Sequence, residues 1–252
     1  MARTISRFCV TPVKGTALVH PDEVLLDERG IAENRRFFLI DDRGDLFSGA
    51  DLGMLVRIKA SWDDGAELLT LDFPDGGDVT GEPVTTDFYG RPVSGRVLQG
   101  PWSEALSAYA GRSLRLVRTD RPGDGPDVEP LTIVSQASVR DLARLGGRDG
   151  DLDSRRFRIN LEVEGCEPYE EDTWRGRRVR VGDAVLVVIR PVARCVVTTQ
   201  DPTTGTKDFE TLKVIARHRG RIDGRGGLPF GMYARVQEPG RVRVGDSVEP
   251  LE

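Results

Sequence analysis

The sequence predicts a mainly β protein of the α+β class, and three observations support this prediction. Short runs of β-branched and aromatic residues recur along the chain, as at residues 36–41 and 230–236. Turns rich in Gly and Asp separate these runs at short intervals, which is typical of an antiparallel sheet that closes into a barrel. Helices are predicted in only three stretches, at residues 101–110 from an early proline and a terminal glycine, and at 135–146 and 208–218 from the spacing of apolar residues.

The chain divides in its middle. Residues 119–130 combine three prolines and two glycines with several acids and few apolar side chains, which marks a linker or exposed loop. The 252 residues suffice for one large domain or two of ordinary size. We therefore predict a β-rich, barrel-like N-terminal domain at residues 1–118, a linker at 119–130 and a second β domain with helical inserts at 131–252.

Composition excludes several classes of function. The net charge of −5 argues against general nucleic-acid binding, which needs a basic face. No run reaches the ~20 apolar residues of a membrane-spanning helix, and the N-terminus lacks the apolar core of a signal peptide. Three cysteines without a C-x-x-C pair favour reducing surroundings and are too few for a cysteine-ligated iron–sulfur cluster. We expect a cytoplasmic protein that contacts neither membrane nor nucleic acid.

One thiol, Cys195, stands out by its position. The β-branched run at residues 185–189 is interrupted by Pro191, and the turn residues 201–205 follow, so Cys195 should lie where a strand gives way to a loop. Arg194 is its neighbour, and a nearby guanidinium lowers a thiol pKa and favours the thiolate that attacks electrophiles or binds soft metals. The alternative interpretation is a buried structural cysteine.

Several cations at predicted strand edges or turns suit an anionic ligand near Cys195. They are Lys14, Arg36, Arg158 and Arg194. Arginine binds phosphate through two parallel hydrogen bonds, and Asn160 can offer a donor and an acceptor to a heterocycle. Each of these residues can equally be an ordinary surface group, because the chain has 32 arginines.

Other site types find less support. The glycines at 224–227 do not follow a strand and lack the spacing of a dinucleotide-binding loop or a P-loop. Neither His20 nor His218 belongs to a pair with zinc-ligand spacing. A catalytic pair in which His218 activates Cys195 as a nucleophile is an alternative interpretation, although we expect His218 to lie in solvent at a helix end.

The predicted elements place these residues. A strand at 157–163 would set Arg158 and Asn160 on one face, and a further strand is predicted at 55–62. Asp208 is predicted to cap the third helix. The sequence R-V-R-V-G-D occurs twice, at residues 178–183 and 241–246, and we interpret the copies as two hairpins of one barrel.

Five short motifs stand out along the chain: T-P-V-K-G at 11–15, R-F-R-I-N at 156–160, Y-E-E-D-T-W at 169–174, R-C-V-V-T-T-Q-D-P-T-T-G at 194–205 and F-G-M-Y at 230–233. By these motifs the sequence resembles the MOSC family, within it the two-domain group that includes the mitochondrial amidoxime reducing component and its bacterial relatives. The resemblance implies a β-rich N-terminal domain joined to a MOSC β-barrel, with a molybdenum–molybdopterin cofactor between them. The resemblance also implies that Cys195 binds molybdenum at the catalytic centre, because Cys195 stands at the position of the family's metal-binding cysteine. The implied cofactor-binding residues are Lys14, Gly15, Arg36, Asp127, Arg158, Asn160, Arg194 and Tyr233.

The resemblance implies an oxidoreductase that removes oxygen from a small N-hydroxylated or N-oxide substrate. Its electrons would come from a separate donor protein of the ferredoxin or flavin reductase type. One alternative is a non-catalytic module that carries the molybdenum cofactor, or sulfur on Cys195. Another is a metal-free cysteine enzyme.

Three departures from the family pattern bear on the pocket. Ile159 stands where the family has proline, which should change backbone stiffness more than contacts. Residues 48–50, S-G-A, lack an arginine that could line the substrate entrance. Val128 and Glu129 replace a small hydroxyl pair, and we expect Glu129 to place negative charge near the pocket.

Overall fold

The computed structural model describes residues 2–31, 33–63, 68–72, 80–87, 92–121, 123–125, 128–148, 152–224 and 226–251, with the backbone alone at 80–87 and 99. In this part of the chain seventeen strands accompany three α-helices, which confirms the mainly β, α+β class. The strands are β1 (Thr4–Phe8), β2 (Glu23–Asp27), β3 (Gly30–Ile31), β4 (Phe37–Ile40), β5 (Leu46–Phe47), β6 (Ala60–Asp63), β7 (Leu68–Leu71), β8 (Thr80–Asp87), β9 (Pro92–Gln99), β10 (Arg115–Thr119), β11 (Leu131–Ser135), β12 (Leu161–Glu164), β13 (Arg178–Val181), β14 (Ala184–Arg194), β15 (Leu228–Glu238), β16 (Gly240–Arg243) and β17 (Val248–Pro250). The helices are α1 (Pro101–Ala110), α2 (Gln136–Leu145) and α3 (Thr211–His218).

The largest sheet has seven strands in the order β1-β12-β11-β15-β14-β13-β17. Its two outer strands approach each other, since Ile5 N donates to Asp246 O at 2.9 Å and Val248 N donates to Arg3 O at 2.9 Å. These bonds nearly close the sheet into a barrel and cover edges that an open sheet would expose. Side chains on one face of these strands, among them Ile5 and Phe8 of β1, form a buried apolar core.

The N-terminal half contributes a five-stranded sheet in the order β5-β4-β10-β9-β8 and the pair β6-β7. Helix α1 packs on this half, and Trp102 is its anchor. The Trp102 indole is 1% exposed and donates from Nε1 to Leu69 O of β7 at 3.1 Å. A second buried core therefore lies beside the barrel core.

Two strands cross between the halves of the chain. β1 pairs antiparallel with β12 of the seven-stranded sheet, and β16 pairs with β2 in a separate three-stranded sheet. Val24 lies opposite Val242 in that pairing, and both are buried in the barrel core. The sheets thus do not follow the division at residues 119–130, and the division into domains stays a prediction.

Two of the helices begin where the sequence predicts. α1 covers the predicted residues and is followed by Gly111, which has a left-handed φ of 66°. α2 begins after Ser135, whose Oγ accepts a hydrogen bond from Ser138 N at 3.0 Å.

The predicted cap of the third helix is wrong. Glu210 precedes α3 rather than Asp208. The Asp208 carboxylate accepts from Arg156 Nη1 at 2.9 Å and Nη2 at 3.0 Å, so it is engaged away from the helix end.

Residues 55–62 do not form the predicted strand. Gly53–Arg57 is a 3₁₀-helix, and β6 begins only at Ala60. Leu55 and Ile58 lie three residues apart and are both buried in the second core. That spacing fits a 3₁₀ turn, in which residues i and i+3 share a side.

Residues 157–163 also differ from the prediction. Asp153 Oδ1 accepts from Arg155 N at 3.0 Å at the start of the 3₁₀-helix Ser154–Phe157. Arg158 then takes a left-handed φ of 51°, and β12 begins at Leu161. Arg158 and Asn160 therefore precede the strand instead of sharing one of its faces.

Only the first copy of the repeat is a hairpin, formed by β13 and β14. In the second copy, β16 pairs with β2 and β17 pairs with β13, so the prediction of two hairpins is wrong. The two turns lie against each other, because Gly182 N donates to Ser247 O at 3.2 Å and Asp183 N donates to Arg241 O at 3.1 Å. Identical local sequence does not determine which strand becomes the partner.

Over the described ranges, no helix has both the length and the apolar character needed to cross a membrane.

Candidate functional site

Cys195 lies where strand β14 ends. β14 runs to Arg194, and the 3₁₀-helix Val196–Thr199 follows directly. The carbonyl of Cys195 accepts from Thr198 N at 3.2 Å and from Thr198 Oγ1 at 2.9 Å, which closes the turn. Cys195 is exposed. The prediction of a thiol at a strand-to-loop junction is confirmed, and the alternative of a buried cysteine is wrong.

The other two cysteines are less suited to chemistry. Cys9 is buried, and burial together with the nearby Glu162 raises its pKa well above the usual value. Burial likewise raises the pKa of the half-buried Cys166 to about 12. A raised pKa lowers the fraction of the reactive thiolate at Cys9 and Cys166. Cys195 is the most exposed of the three thiols.

The loop after Cys195 is fixed by a turn and by a close backbone contact. Asp201 Oδ1 accepts from Thr203 N at 3.0 Å and Thr204 N at 2.8 Å. Gly205 has a φ of 75°, and a Cβ there would lie 2.2 Å from the carbonyl of Gly53. Glycine is therefore required, and the D-P-T-T-G motif lies directly against the N-terminal half of the chain.

The buried side chain of Arg156 binds the backbone at the start of the same loop. It is 2% exposed and donates from Nη1 to Thr198 O at 3.3 Å while pairing with Asp208. Thr211 Oγ1 donates to the same carbonyl at 2.6 Å. Burial raises the pKa of Asp208, but hydrogen bonds from Arg156 and Arg148 outweigh it and leave that pKa below its usual value.

Cys195 opens onto a cleft of about 120 Å³ between the two halves of the chain. Seven of the nine predicted site residues line it: Lys14, Gly15, Arg158, Asn160, Arg194, Cys195 and Tyr233. Among the described lining residues five are cationic, namely Lys14, Arg35, Arg156, Arg158 and Arg194, and one, Glu129, is acidic. A chain with a net charge of −5 thus concentrates positive charge around its accessible thiol.

Lys14 enters the cleft from the T-P-V-K-G loop. Lys14 N donates to Phe37 O at 2.8 Å, which fixes the loop beside β4, and Thr11 Oγ1 donates to Val13 O at 3.1 Å within the loop. Lys14 is 5% exposed, so its charge is largely withdrawn from bulk water. Gly15 follows with a φ of 98°, a conformation that favours glycine.

Two of the lining arginines also brace the backbone. Arg158 Nη2 donates to Thr16 O at 2.8 Å. Arg194 donates from Nε to Phe230 O at 2.7 Å and from Nη1 to Phe157 O at 2.9 Å. These bonds fix the positions of both guanidinium groups at the cleft.

Asn160 is 4% exposed and is bound mainly within the protein. Its Oδ1 accepts from Thr132 N at 3.2 Å and Thr132 Oγ1 at 3.0 Å, while Nδ2 donates to Cys9 O at 3.3 Å. The acceptor that we expected Asn160 to offer a heterocycle is thus engaged by Thr132. The second hydrogen on Nδ2 is the group left for a ligand.

Tyr233 and Glu129 form another part of the wall. Tyr233 of β15 lies opposite Thr132 of β11 and Arg190 of β14. Glu129 is 7% exposed, and its carboxylate accepts from Arg235 Nε at 2.6 Å and Arg235 Nη2 at 3.0 Å. The expected negative charge is present and is paired with arginine.

Arg36 and Asp127 are the two predicted residues that are not seen at the cleft. Arg36 is absent from the described lining, and its Nη1 donates to Thr119 O at 2.7 Å and Thr119 Oγ1 at 3.0 Å. Its neighbour Arg35 has a left-handed φ of 58° and lines the cleft instead. Asp127 lies outside the described residues. The cofactor contacts of Arg36 and Asp127 stay predictions.

The lining residues that the sequence analysis missed include Arg35, Thr132 and Arg156. Arg156 belongs to the R-F-R-I-N motif, which offered a signal, but burial of an arginine cannot be seen in sequence. Arg35 was indistinguishable from Arg36, because the side-chain direction depends on the φ of Arg35.

A cysteine–histidine pair at the cleft is not supported. His218 is exposed at the last residue of α3 and does not belong to the described lining. Cys9 Sγ lies 3.7 Å from His20 Nδ1, but that thiol is buried and its pKa is raised. Within the described ranges no group of three or more His, Cys, Asp or Glu residues could hold a metal ion.

A comparison with known families identifies the class of this chain. The model of the MOSC domain matches residues 120–249, which is more than half of the chain. The chain therefore belongs to the MOSC domain family, and the resemblance noted from its motifs is confirmed.

Several relatives share this similarity. Mitochondrial amidoxime-reducing component 1 of Mus musculus is 26% identical over 281 aligned residues, which cover 97% of this chain and 81% of that protein. Mitochondrial amidoxime reducing component 2 of Rattus norvegicus is 38% identical over 130 residues, covering 49% of this chain and 37% of that protein. The molybdenum cofactor sulfurase of Anopheles gambiae is 29% identical over 266 residues, covering 90% of this chain and 33% of that protein. The YUAD protein of Bacillus subtilis has a solved structure that is similar with a TM-score of 0.47 and 13% identity, covering 99% of this chain and 96% of that one.

Proposed function

We propose that this chain is a molybdenum-cofactor-dependent oxidoreductase that reduces N-hydroxylated or N-oxide substrates at a metal bound to Cys195. The observation that carries the proposal is an exposed thiol in a cleft whose described lining holds five cations and one acid. The names of the amidoxime-reducing relatives support the reaction class.

The residues at the cleft fit such a cofactor. A thiolate would be a soft ligand for the metal, and cationic side chains would bind the phosphate of a pterin tail. At Gly15, a Cβ would meet Leu55 Cδ1 at 3.3 Å and Gly49 N at 3.4 Å. The loop that carries Lys14 therefore packs closely here only with glycine.

The bound cofactor would supply the two-electron chemistry. Cys195 would anchor the metal from the rigid end of β14. Lys14 and Arg158 would bind the phosphate, while Asn160 would donate its remaining N–H and Tyr233 would form part of the wall. Each charge-assisted hydrogen bond contributes about 1.5–3 kcal/mol, so three of them correspond to more than a thousandfold in affinity.

The reaction needs electrons from outside this chain. Cys9, Cys166 and Cys195 are too few to ligate an iron–sulfur cluster. A separate donor protein of the ferredoxin or flavin reductase type is part of the proposal. So is a reducing, cytoplasmic setting, because it keeps the exposed thiol of Cys195 reduced.

The test compares Cys195→Ser with the matched variant Cys166→Ser, both made in a host that synthesises the cofactor. We expect Cys195→Ser to lose N-hydroxy reduction with a chemical electron donor, and Cys166→Ser to retain it. Elemental analysis gives molybdenum per chain in each sample. Equal molybdenum and equal activity in Cys195→Ser and the wild type would contradict the proposal.

A carrier function is the second candidate. It is favoured by the exposed Cys195 and by the similarity to part of a molybdenum cofactor sulfurase. A carrier would retain the cofactor, or a persulfide on Cys195, without turning over any N-oxygenated compound. Mass spectrometry of Cys195 after exposure to a persulfide donor, beside the reductase assay, separates the two functions.

A further inference from the structure

The acidic residue among the described lining residues, Glu129, is part of a charged cluster. Arg235 grips its carboxylate with two hydrogen bonds, at 2.6 and 3.0 Å, and Arg190 Nη2 lies 3.6 Å from Oε1. Two arginines thus share one carboxylate. The Arg190 guanidinium also lies 5.7 Å from the ring centroid of Tyr233, another lining residue, so the cluster is continuous with the cleft wall.

Glu129 lines the cleft, whereas Arg235 and Arg190 lie outside its described lining. The side chains of Arg235 and Arg190 are 61% and 48% exposed, whereas the Glu129 side chain between them is 6% exposed. Lys14 and Asn160, which also line the cleft, are similarly buried at 5% and 4%. The Glu129 carboxylate is therefore the member of the cluster that a molecule in the cleft would meet.

The carboxylate of Glu129 occupies the positions that an entering anion would use. An arginine recognises a carboxylate through two parallel hydrogen bonds, and Glu129 already makes these bonds with Arg235. An anionic group on a substrate would have to compete with this internal carboxylate and would be repelled by it at short range. A neutral group meets neither obstacle.

We propose that Glu129, held by Arg235 and Arg190, makes the cleft select against anionic substrates and admit neutral N-oxygenated molecules. This inference rests on the proposed reductase function and adds the charge class of its substrates. Glu129 acts by its own charge and by occupying the two arginines, whereas Arg235 fixes the Glu129 carboxylate and partly offsets its charge.

The test uses two substrates that differ in one charge, benzamidoxime and 4-carboxybenzamidoxime. In Glu129→Gln we expect kcat/KM for the anionic compound, relative to the neutral one, to rise about tenfold, because one charge is removed a few ångströms away. In Arg235→Gln the ratio should fall, because Glu129 keeps only the more distant Arg190. Glu164→Gln is the matched control, since Glu164 pairs with Arg140 away from the cleft and should leave the ratio unchanged.

A second readout does not depend on turnover. Calorimetry with benzoate and benzamide should show tighter benzoate binding to Glu129→Gln than to the wild type, with benzamide unchanged. Molybdenum per chain should be equal in the two proteins. Equal substrate ratios and equal benzoate binding would overturn the inference, and so would a loss of molybdenum in Glu129→Gln, which would assign Glu129 to the cofactor. If the wild type reduces neither amidoxime, the proposed function fails, while the benzoate comparison still decides whether Glu129 excludes anions.

Discussion

Cys195 was identifiable from the sequence because its position follows from chain-local signals, a β-branched run and then a proline and turn residues. The directions of the surrounding arginines were not identifiable in the same way. Arg35 and Arg158 both take left-handed φ values, of 58° and 51°. Such values are uncommon outside glycine, and they decide which side chains face the cleft.

At the same scale, Glu171 gives a test of the buried polar network. Its carboxylate accepts from Ser138 Oγ at 2.8 and 2.9 Å, and burial raises its pKa to about 7. Below pH 4.5 the carboxyl is protonated in both states, whereas between about pH 4.5 and 7 the unfolded chain ionises and the folded chain does not. Folding stability from this group therefore falls over that window, by about 3 kcal/mol, and is level above it.

Glu171→Gln should remove this dependence, because the amide oxygen can still accept from Ser138 and cannot ionise. The free energy of unfolding of Glu171→Gln minus that of the wild type should rise from pH 4.5 to 7 in urea titrations. Glu164→Gln, at an exposed ion pair, is the control and should show no comparable rise. A difference that does not vary with pH would contradict the raised pKa.

At the scale of elements, the strands predicted at residues 36–41 and 230–236 are confirmed by β4 and β15. The strand predicted at residues 55–62 is wrong, because its first apolar residues belong to a 3₁₀ turn. Leu55 and Ile58 illustrate the failure, because a run rich in apolar residues fits a 3₁₀ turn as well as a strand. The helices α1 and α2 were predictable from their flanking residues, Gly111 and Ser135. The local sequence predicts Asp208 as a helix cap, but Asp208 pairs with Arg156, and this ion pair depends on tertiary contacts.

The loop after Cys195 provides the prediction at this scale. Gly205→Ala should destabilise the protein, because the residue has a φ of 75° and its Cβ would collide with Gly53. Gly220→Ala is a matched control, since Gly220 has a φ of 69° but no atom within 4 Å of a built Cβ. The control should cost about 1–2 kcal/mol for the left-handed backbone alone.

Chemical denaturation of both variants measures the difference. Gly205→Ala should cost at least about 2 kcal/mol more than Gly220→Ala, the order of other steric overpacking effects. It should also lower cofactor content, because the displaced loop begins at Cys195. Equal costs in the two variants would show that the Gly205–Gly53 contact is not restrictive.

For the whole molecule, the sequence indicated a β-rich protein with a cleft between its halves but not how the sheets are assembled. β1 lies beside β12 and approaches β17, although some 150 residues or more separate β1 from either strand. Pairings over such distances leave no local signal in sequence. The cleft has the same origin, because Lys14 and Arg35 come from one half and Cys195 and Tyr233 from the other.

This assembly predicts that residues 120–252 do not fold alone. Without β1 the seven-stranded sheet loses the strand between β12 and β17, and without β2 strand β16 loses its partner. We expect circular dichroism of the isolated segment to show no cooperative thermal transition. Addition of a peptide spanning residues 2–31 should restore structure, and a cooperative transition without that peptide would contradict the prediction.

The central claim is that the sulfur of Cys195 binds molybdenum directly. X-ray absorption spectroscopy at the molybdenum edge counts the sulfur neighbours of the metal in cofactor-loaded wild type, Cys166→Ser and Cys195→Ser. We predict one sulfur neighbour fewer in Cys195→Ser and the wild-type number in Cys166→Ser. An unchanged number of sulfur neighbours in Cys195→Ser would contradict the claim.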